Sequence, residues 1–199
     1  LYTGSFPTFV WPDFDENNAA VLCYTSGTTG NPKGVLYSHK SIVVHANMIS
    51  LPDYFGFSAT DTLMPVTPMF HVNAWGATYA SAMVGSKLVL PGPNVNASNL
   101  TRLINEEKVT VAIGIPTIWE ELLSYLEENN ASIKSLNRIF AGGAKVPDWM
   151  ITVFADQHEI KCVQAWGMTE TSPLGLINTE TNENQKLSKQ KTGRPVWTT

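Results

Sequence analysis

The stretch Tyr24-Thr25-Ser26-Gly27-Thr28-Thr29-Gly30-Asn31-Pro32-Lys33-Gly34 concentrates groups that donate to an anion. Its glycines let the backbone approach a ligand closely and turn successive N–H groups inward, forming an anion nest. The hydroxyls of Thr25, Ser26, Thr28 and Thr29 and the ammonium of Lys33 add further donors, a set suited to a polyphosphate. The loop is not a Walker A sequence. Counted from Gly27, that pattern needs Gly at 32 and Ser or Thr at 34, where this chain has Pro32 and Gly34. A flexible linker of similar composition would explain neither Lys33 nor the apolar run Ala19 to Tyr24 that feeds the loop.

Three other segments carry groups worth weighing. Gly142-Gly143-Ala144 follows the apolar Ile139-Phe140-Ala141, and Gln164-Ala165-Trp166-Gly167-Met168-Thr169-Glu170 ends another apolar run. Taken alone, Trp166 and Met168 read as core packing; the neighbouring hydroxyl of Thr169 and carboxylate of Glu170 tip them toward a site. His71 and Trp75 lie in Pro68-Met69-Phe70-His71-Val72-Asn73-Ala74-Trp75. His39, His45 and His158 share no ligand spacing and read as structural or exposed. Cys23 and Cys162 match no metal or redox spacing and read as buried thiols of a reducing compartment.

The elements that must position these groups alternate in period. Ala19 to Tyr24 reads as a buried strand, and Ser38 as the cap of a helix with Ile42, Val43, Ala46 and Ile49 on one face. Thr62 to Val66 and Ser86 to Leu90 read as strands, the second closed by Pro91-Gly92-Pro93. Leu100, Leu103 and Ile104 mark a short amphipathic helix before a β-branched strand, Val109 to Ile113. Thr117 and Glu120 form a capping box for a helix with Ile118, Leu122, Tyr125 and Leu126 on one face. A helix beginning at Pro147 runs through Phe154, and Ile160 to Ala165 is a last strand. This rhythm implies an α/β fold of βαβ units with a mostly parallel sheet. In such a sheet ligands bind beyond the carboxyl ends of the strands. The loop after Tyr24, Gly142-Gly143-Ala144 and Trp166 to Glu170 are all expected there. Asn178 to Lys191 reads as an exposed polar loop.

The composition sets outer bounds. The chain has 199 residues, 43% hydrophobic and 15% charged, with 14 Gly, 12 Pro and 2 Cys. That excludes disordered, collagen-like and disulfide-stapled classes, and a domain of this length buries roughly 70% of its unfolded surface. Thirteen basic and seventeen acidic residues leave a net charge of −4 with no basic run, which argues against a nucleic-acid-binding face. No apolar run is long enough for a membrane span. The chain opens at Leu1 without a Met and ends at Thr199 inside what reads as the start of an element, so a longer reading frame is expected.

The loop Tyr24 to Gly34 resembles the phosphate-binding signature of the adenylate-forming superfamily, which includes acyl-CoA and aryl-CoA synthetases, luciferases and peptide-synthetase adenylation domains. Trp166-Gly167-Met168-Thr169-Glu170 resembles that family's aromatic-Gly-x-Thr-Glu segment, and Gly142-Gly143-Ala144 its adenine-contacting turn. Thr192-Gly193-Arg194-Pro195 is similar to the short segment that follows. Order and spacing agree over about 170 residues. Residues 68 to 75 and the Leu90-Pro91-Gly92-Pro93 turn are most similar to bacterial medium- and long-chain fatty acyl-CoA synthetases, with methylmercaptopropionate-CoA ligases close relatives.

The resemblance implies part of the large N-terminal domain of an adenylate-forming enzyme, with residues 1–199 covering a portion of the AMP-binding domain. It implies ATP-dependent activation of a fatty acid to an acyl-adenylate and then to acyl-CoA. Thr25, Ser26, Gly27, Thr28, Thr29, Gly30 and Lys33 would hold the β- and γ-phosphates. Glu170 and the Thr25 hydroxyl would place Mg²⁺, and Thr169 would bond the α-phosphate. Gly142, Gly143, Ala144, Gln164, Ala165, Trp166, Gly167 and Met168 would surround the nucleotide, with Trp166 where Tyr is usual. His71 would lie near the acyl carboxylate and Trp75 at the mouth of the acyl tunnel. His71 offers no countercharge to an ammonium, which disfavours an amino acid substrate. The family's ribose-binding Asp, its hinge and the small C-terminal domain with the adenylation Lys are expected beyond Thr199. A cytoplasmic enzyme, with coenzyme A as co-substrate and a homodimer as one state, completes the expectation. An aryl-CoA ligase, another carboxylate-adenylating enzyme and a non-catalytic nucleotide-binding paralogue stay open as alternatives.

Overall fold

A seven-stranded sheet in the order β4-β3-β5-β6-β7-β8-β9 forms the centre of the molecule. The computed structural model describes residues 9–27, 30–178 and 193–196. Strands β3 (Thr62–Pro65), β4 (Lys87–Leu88), β5 (Val111–Gly114), β6 (Arg138–Ala141) and β7 (Lys161–Gly167) run parallel, as expected. Two further strands, β8 (Leu174–Ile177) and β9 (Arg194–Pro195), close one edge in antiparallel sense. These two short strands were not foreseen. Ser86 to Leu90 shrinks to the two residues of β4, a strand at the other edge.

Both faces of the sheet are covered, which is why its strands read as continuous apolar runs instead of alternating ones. Helices α4 (Ala97–Glu107), α5 (Pro116–Glu128) and α6 (Asp148–His158) pack on one side through Leu100, Ile104, Trp119, Leu122, Met150 and Phe154. Helices α1 (His39–Ser50) and α3 (Ala77–Val84) bring Ala46, Ile49, Ala77 and Ala80 to the other. Strand alternation divides the residues between them: Ile139 and Ala141 face the first cluster, Phe140 the second.

The N-terminal ends of the strands are tied by a partly buried ion pair. Arg138, opening β6, donates to Asp61 Oδ2 at 2.8 Å and to the carbonyls of Phe55 and Gly56. Thr110 donates to Asp61 Oδ1 at 2.8 Å. Burial alone would raise the Asp61 pKa, but the hydrogen bonds from Arg138 and Thr110 outweigh it and hold the carboxyl below its ordinary range.

Three expectations need correction. The run from Ala19 is not a buried strand of the parallel sheet. It forms β1 (Ala19–Thr25), an antiparallel hairpin with β2 (Lys33–Ser38), in which Cys23 is the buried residue of β1. The connection from Ser26 to Pro32 is too short for a parallel crossover, so the chain must fold straight back. Thr117 and Glu120 form no capping box: the helix starts at Pro116 with Ile115 as N-cap and no side-chain cap. Pro116 lacks the N–H a cap would satisfy and has φ preset for the first turn, which leaves Thr117 inside the helix. On α1, Ser38 does cap, accepting from Ser41 N at 3.1 Å. Val43, however, is exposed, and His45 and Met48 share the buried face with Ala46 and Ile49.

Between β3 and α3 the chain makes one turn, α2 (Val72–Trp75), of the opposite hand. Its residues have φ of 44°, 55°, 52° and 59°, and Gly76 follows at 71°. No sequence signal announced it. No helix among the described residues is long and apolar enough to cross a membrane.

Candidate active site

Thr25 closes β1 and Lys33 opens β2, and the two are register partners at the open end of the hairpin. Ser26 and Gly27 begin the loop between them. Gly27 has φ of +65°, and a Cβ there would stand 2.1 Å from the carbonyl oxygen of Asn31, so the loop can close only around a glycine. Thr28 and Thr29 lie outside the described residues. The hairpin is therefore not a strand of the main sheet as expected, yet Ser26 and Gly27 share a cavity with Gly143 after β6 and Gly167 at the end of β7.

There it meets the segment that leaves β7. A Cβ at Gly167 would fall 2.1 Å from the carbonyl oxygen of Pro173, and Met168 N donates to that same oxygen at 3.0 Å. This close crossing turns the chain into the short 3-10 turn Thr169–Thr171. Tyr37 of β2 donates its hydroxyl to the carbonyl of Thr169 at 2.5 Å and ties the hairpin to this turn. Burial raises the Tyr37 pKa, with Cys23 and Glu170 adding to the effect, so the phenol stays a donor at neutral pH. Thr169 is buried while Glu170 is exposed. Tyr37 was missed in the sequence because an apolar-flanked Tyr in a strand carries no signal of its long-range partner.

One cavity of about 660 Å³ gathers Thr25, Ser26, Gly27, Lys33, His71, Trp75, Gly143, Gly167, Met168, Thr169 and Glu170. Tyr24, Val72 and Pro173 complete its wall. Its volume falls in the range of small-molecule and cofactor sites. Cationic and hydroxyl donors from the hairpin, a lone carboxylate and an apolar flank thus share one space. Trp75 is 6% exposed, and a Cβ at Gly142 would sit 2.9 Å from the carbonyl oxygen of Ala165 and 3.0 Å from the indole, so the glycine lets both come close.

Six candidates do not reach the wall. Gly30 has open space around it, with φ of +93°. Gly142 donates its N–H to the carbonyl of Gly114 and supports Trp75 from behind. Ala144 is exposed on the loop beside Gly143. Gln164 accepts from Val146 N at 3.0 Å and fastens that loop to β7. Ala165 is core. Trp166 is 45% exposed and leans on Gly175 of β8, where a Cβ would meet its ring at 2.6 Å. The motif residues Thr192 and the side chain of Arg194 lie outside the described residues, as does most of the polar stretch 178–191.

Among the described residues no group of three or more His, Cys, Asp or Glu could hold a metal ion. The carboxylate of Glu170 and the hydroxyl of Thr25 on one cavity wall fit a different kind of site. A hard divalent cation such as Mg²⁺ commonly takes one or two protein oxygens and completes its shell with substrate phosphates and water.

The family model described as AMP-binding enzyme matches residues 7–199. The medium-chain-fatty-acid–CoA ligase of Ectopseudomonas oleovorans is 50% identical over 196 residues, 95% of this chain and 36% of that protein. The 3-methylmercaptopropionyl-CoA ligase of Ruegeria pomeroyi is likewise 50% identical, with the same coverage of 95% and 36%. Among solved structures, the inhibitor-bound N-terminal domain of FACL13 from Mycobacterium tuberculosis superposes with a TM-score of 0.79 at 28% identity, over 93% of this chain and 46% of that one. The chain thus spans about a third of the length of the curated relatives it matches.

Proposed function

This chain belongs to the AMP-binding enzyme family, and from that premise we propose that the protein carrying it activates a medium- or long-chain fatty acid with ATP and transfers the acyl group to coenzyme A. The observation that carries the reading is the shared cavity, in which the anion-binding hairpin, Thr169, Glu170, His71 and Trp75 line one space.

A carboxylate is a poor electrophile because it has no good leaving group. In the proposed reaction its oxygen attacks the α-phosphorus of ATP, the bond to the bridging oxygen breaks, and pyrophosphate leaves. The thiolate of coenzyme A then attacks the acyl carbon and AMP departs. The hairpin from Thr25 to Lys33 supplies fixed N–H, hydroxyl and ammonium donors to the departing pyrophosphate, where negative charge grows. Thr169 donates to the α-phosphate, and its carbonyl is already engaged by Tyr37, which fixes the turn that carries it. Glu170 and Thr25 would hold Mg²⁺ against the phosphates, and the ion would neutralise part of their charge. Gly143, on the cavity wall, would let the backbone approach the adenine closely. His71 would orient the acid's carboxylate and Trp75 would close the space beside it.

The relatives are longer, so we further propose that ribose binding and the adenylation lysine belong to parts of the protein outside this chain. The isolated segment is then expected to bind nucleotide weakly at best and to make no acyl-CoA. We also place the full protein in the cytoplasm, where ATP and coenzyme A are available, and propose a homodimer.

The test is carboxylate-dependent ATP–pyrophosphate exchange by the full-length protein, with acids from propionate to palmitate, 3-(methylthio)propionate, benzoate and several amino acids. Exchange that peaks with aliphatic acids, followed by acyl-CoA once coenzyme A is added, supports the reading. Exchange only with benzoate or an amino acid replaces the substrate class, and none with any acid overturns the activity. Lys33→Ala and Glu170→Gln should each lower exchange roughly 10²- to 10³-fold, the usual cost of losing one group that stabilises transition-state charge.

A further inference from the structure

The hairpin carries two buried side chains on one face, and each reaches a different wall of the cavity. Cys23 pairs with Val35 and Tyr37 lies two residues further along β2, so strand alternation turns both the same way. They are 4% and 6% exposed. The Tyr37 hydroxyl engages the carbonyl of Thr169. The Cys23 thiol donates to Asn73 Oδ1 at 3.7 Å, inside the left-handed turn α2. Among the described residues it is the one hydrogen bond between the hairpin and that turn.

The turn needs such a restraint. Val72, Asn73, Ala74 and Trp75 all have positive φ, a hand disfavoured for any residue with a Cβ. Backbone of this kind persists only where its surroundings over-determine it, and it recurs at ligand clamps. Val72, Ala74 and Trp75 are buried, which fixes three of the four side chains. Asn73 is half-buried, and the thiol is what holds it. The hand of α2 in turn sets where Trp75 points relative to His71, and both line the cavity.

We propose that Cys23 is a positioning residue for the acid. Acting through Asn73, it keeps α2 in its left-handed form and so holds Trp75 and His71 in place against the phosphate-binding hairpin. This rests on the adenylation reading above, with the carboxylate at His71. Cys23 does not line the cavity itself. Tyr37 secures the Thr169 side independently, so loss of the thiol loosens the wall that meets the acid and leaves the wall that meets the nucleotide in place.

The experiment compares KM for the acid with KM for ATP in pyrophosphate exchange by the full-length protein, using the acid that supports exchange best. Cys23→Ala should raise the acid KM about threefold to tenfold, the worth of one hydrogen bond, and leave the ATP KM unchanged. Cys23→Ser keeps a donor of similar reach and should restore most of the acid KM. Asn73→Gly tolerates the left-handed backbone but has no acceptor, so it should show the same split. Combining it with Cys23→Ala should add nothing further, because both remove one interaction. Acid and ATP constants that rise together, a rise that serine does not rescue, or additive losses would make the cysteine merely structural and overturn the proposal. An acid KM that Cys23→Ala leaves unmoved overturns it too. Should Cys23→Ala not fold, Asn73→Gly decides by its split alone. Failure of the adenylation reading is distinct: the wild type then gives no exchange with any acid, and the proposal falls with it.

Discussion

A methyl group at Gly167 would sit 2.1 Å from the carbonyl oxygen of Pro173, backbone against backbone, with no flexible atom to yield. Gly167→Ala must therefore push apart β7 and the return strand, at about 1–3 kcal/mol of overpacking. The same displacement pulls Thr169 off the Tyr37 hydroxyl. The expected outcome is a lower midpoint in denaturant together with loss of pyrophosphate exchange; unaltered exchange would show that the crossing does not position the site. The chemical identities at this scale were legible. Thr25 and Lys33 were picked out by residue type and spacing, Thr169 and Glu170 by resemblance to the family's aromatic-Gly-x-Thr-Glu segment, and all four line the cavity. What no residue type encodes is a partner far along the chain. The importance of Tyr37 is set by where it is buried, and that depends on the whole fold. Cys162 shows the converse: its burial, expected from the sequence, pushes the thiol up to about 12 and leaves it protonated.

At the scale of elements, α2 departs furthest from ordinary backbone. Left-handed winding costs roughly 1–2 kcal/mol per residue for side chains with a Cβ, and α2 holds four such residues in succession. Asn73 tolerates the conformation best and receives the Cys23 thiol at 3.7 Å. Asn73→Val, β-branched and unable to accept, is expected to cost about 2 kcal/mol, while Asn73→Gly should cost far less. Thermal unfolding of the pair distinguishes a left-handed turn from an ordinary one, which would rank them in reverse. Arg138 and Asp61 make a second test, at the N-terminal ends of β3 and β6. Arg138→Met leaves Asp61 buried without its cation, at a cost of about 3 kcal/mol at neutral pH. Asp61 is depressed below its ordinary value of 3.8, so its contribution is present above that pH and lost as acid protonates it. The gap between wild type and variant should close as pH falls through that region; a gap independent of pH would assign the loss to packing. The helices and parallel strands were readable because their apolar periods are long. The hairpin was misplaced because a continuous apolar run does not reveal its sheet, and α2 was invisible because no glycine within it advertises positive φ.

For the molecule as a whole, the sheet is covered on both faces but the hairpin is not. Leu22 and Leu36 face each other across β1 and β2 at 51% and 62% exposure, with Tyr24 beside them at 66%. A contiguous apolar patch of this kind favours association. The isolated segment should self-associate at micromolar concentration, and Leu22→Lys with Leu36→Glu should shift it toward a monomer in sedimentation. No change would place the sticky surface elsewhere. The α/β architecture and the meeting of the segments after β6 and β7 followed from the order of elements, since a parallel sheet brings the ends of its strands together, whereas the hairpin reaches the site from a separate sheet. Their exact partners did not, because two-residue strands such as β4 and β9 carry almost no local signal. The bond between Tyr37 and Thr169 spans 132 residues, which has a consequence during synthesis. At 5–20 residues per second, roughly 7 to 26 s elapse between the emergence of Tyr37 from the ribosome and that of its partner. Through that interval the hairpin must wait with the Tyr37 hydroxyl unpartnered, a window in which a chaperone has time to act and a neighbouring nascent chain has time to interfere.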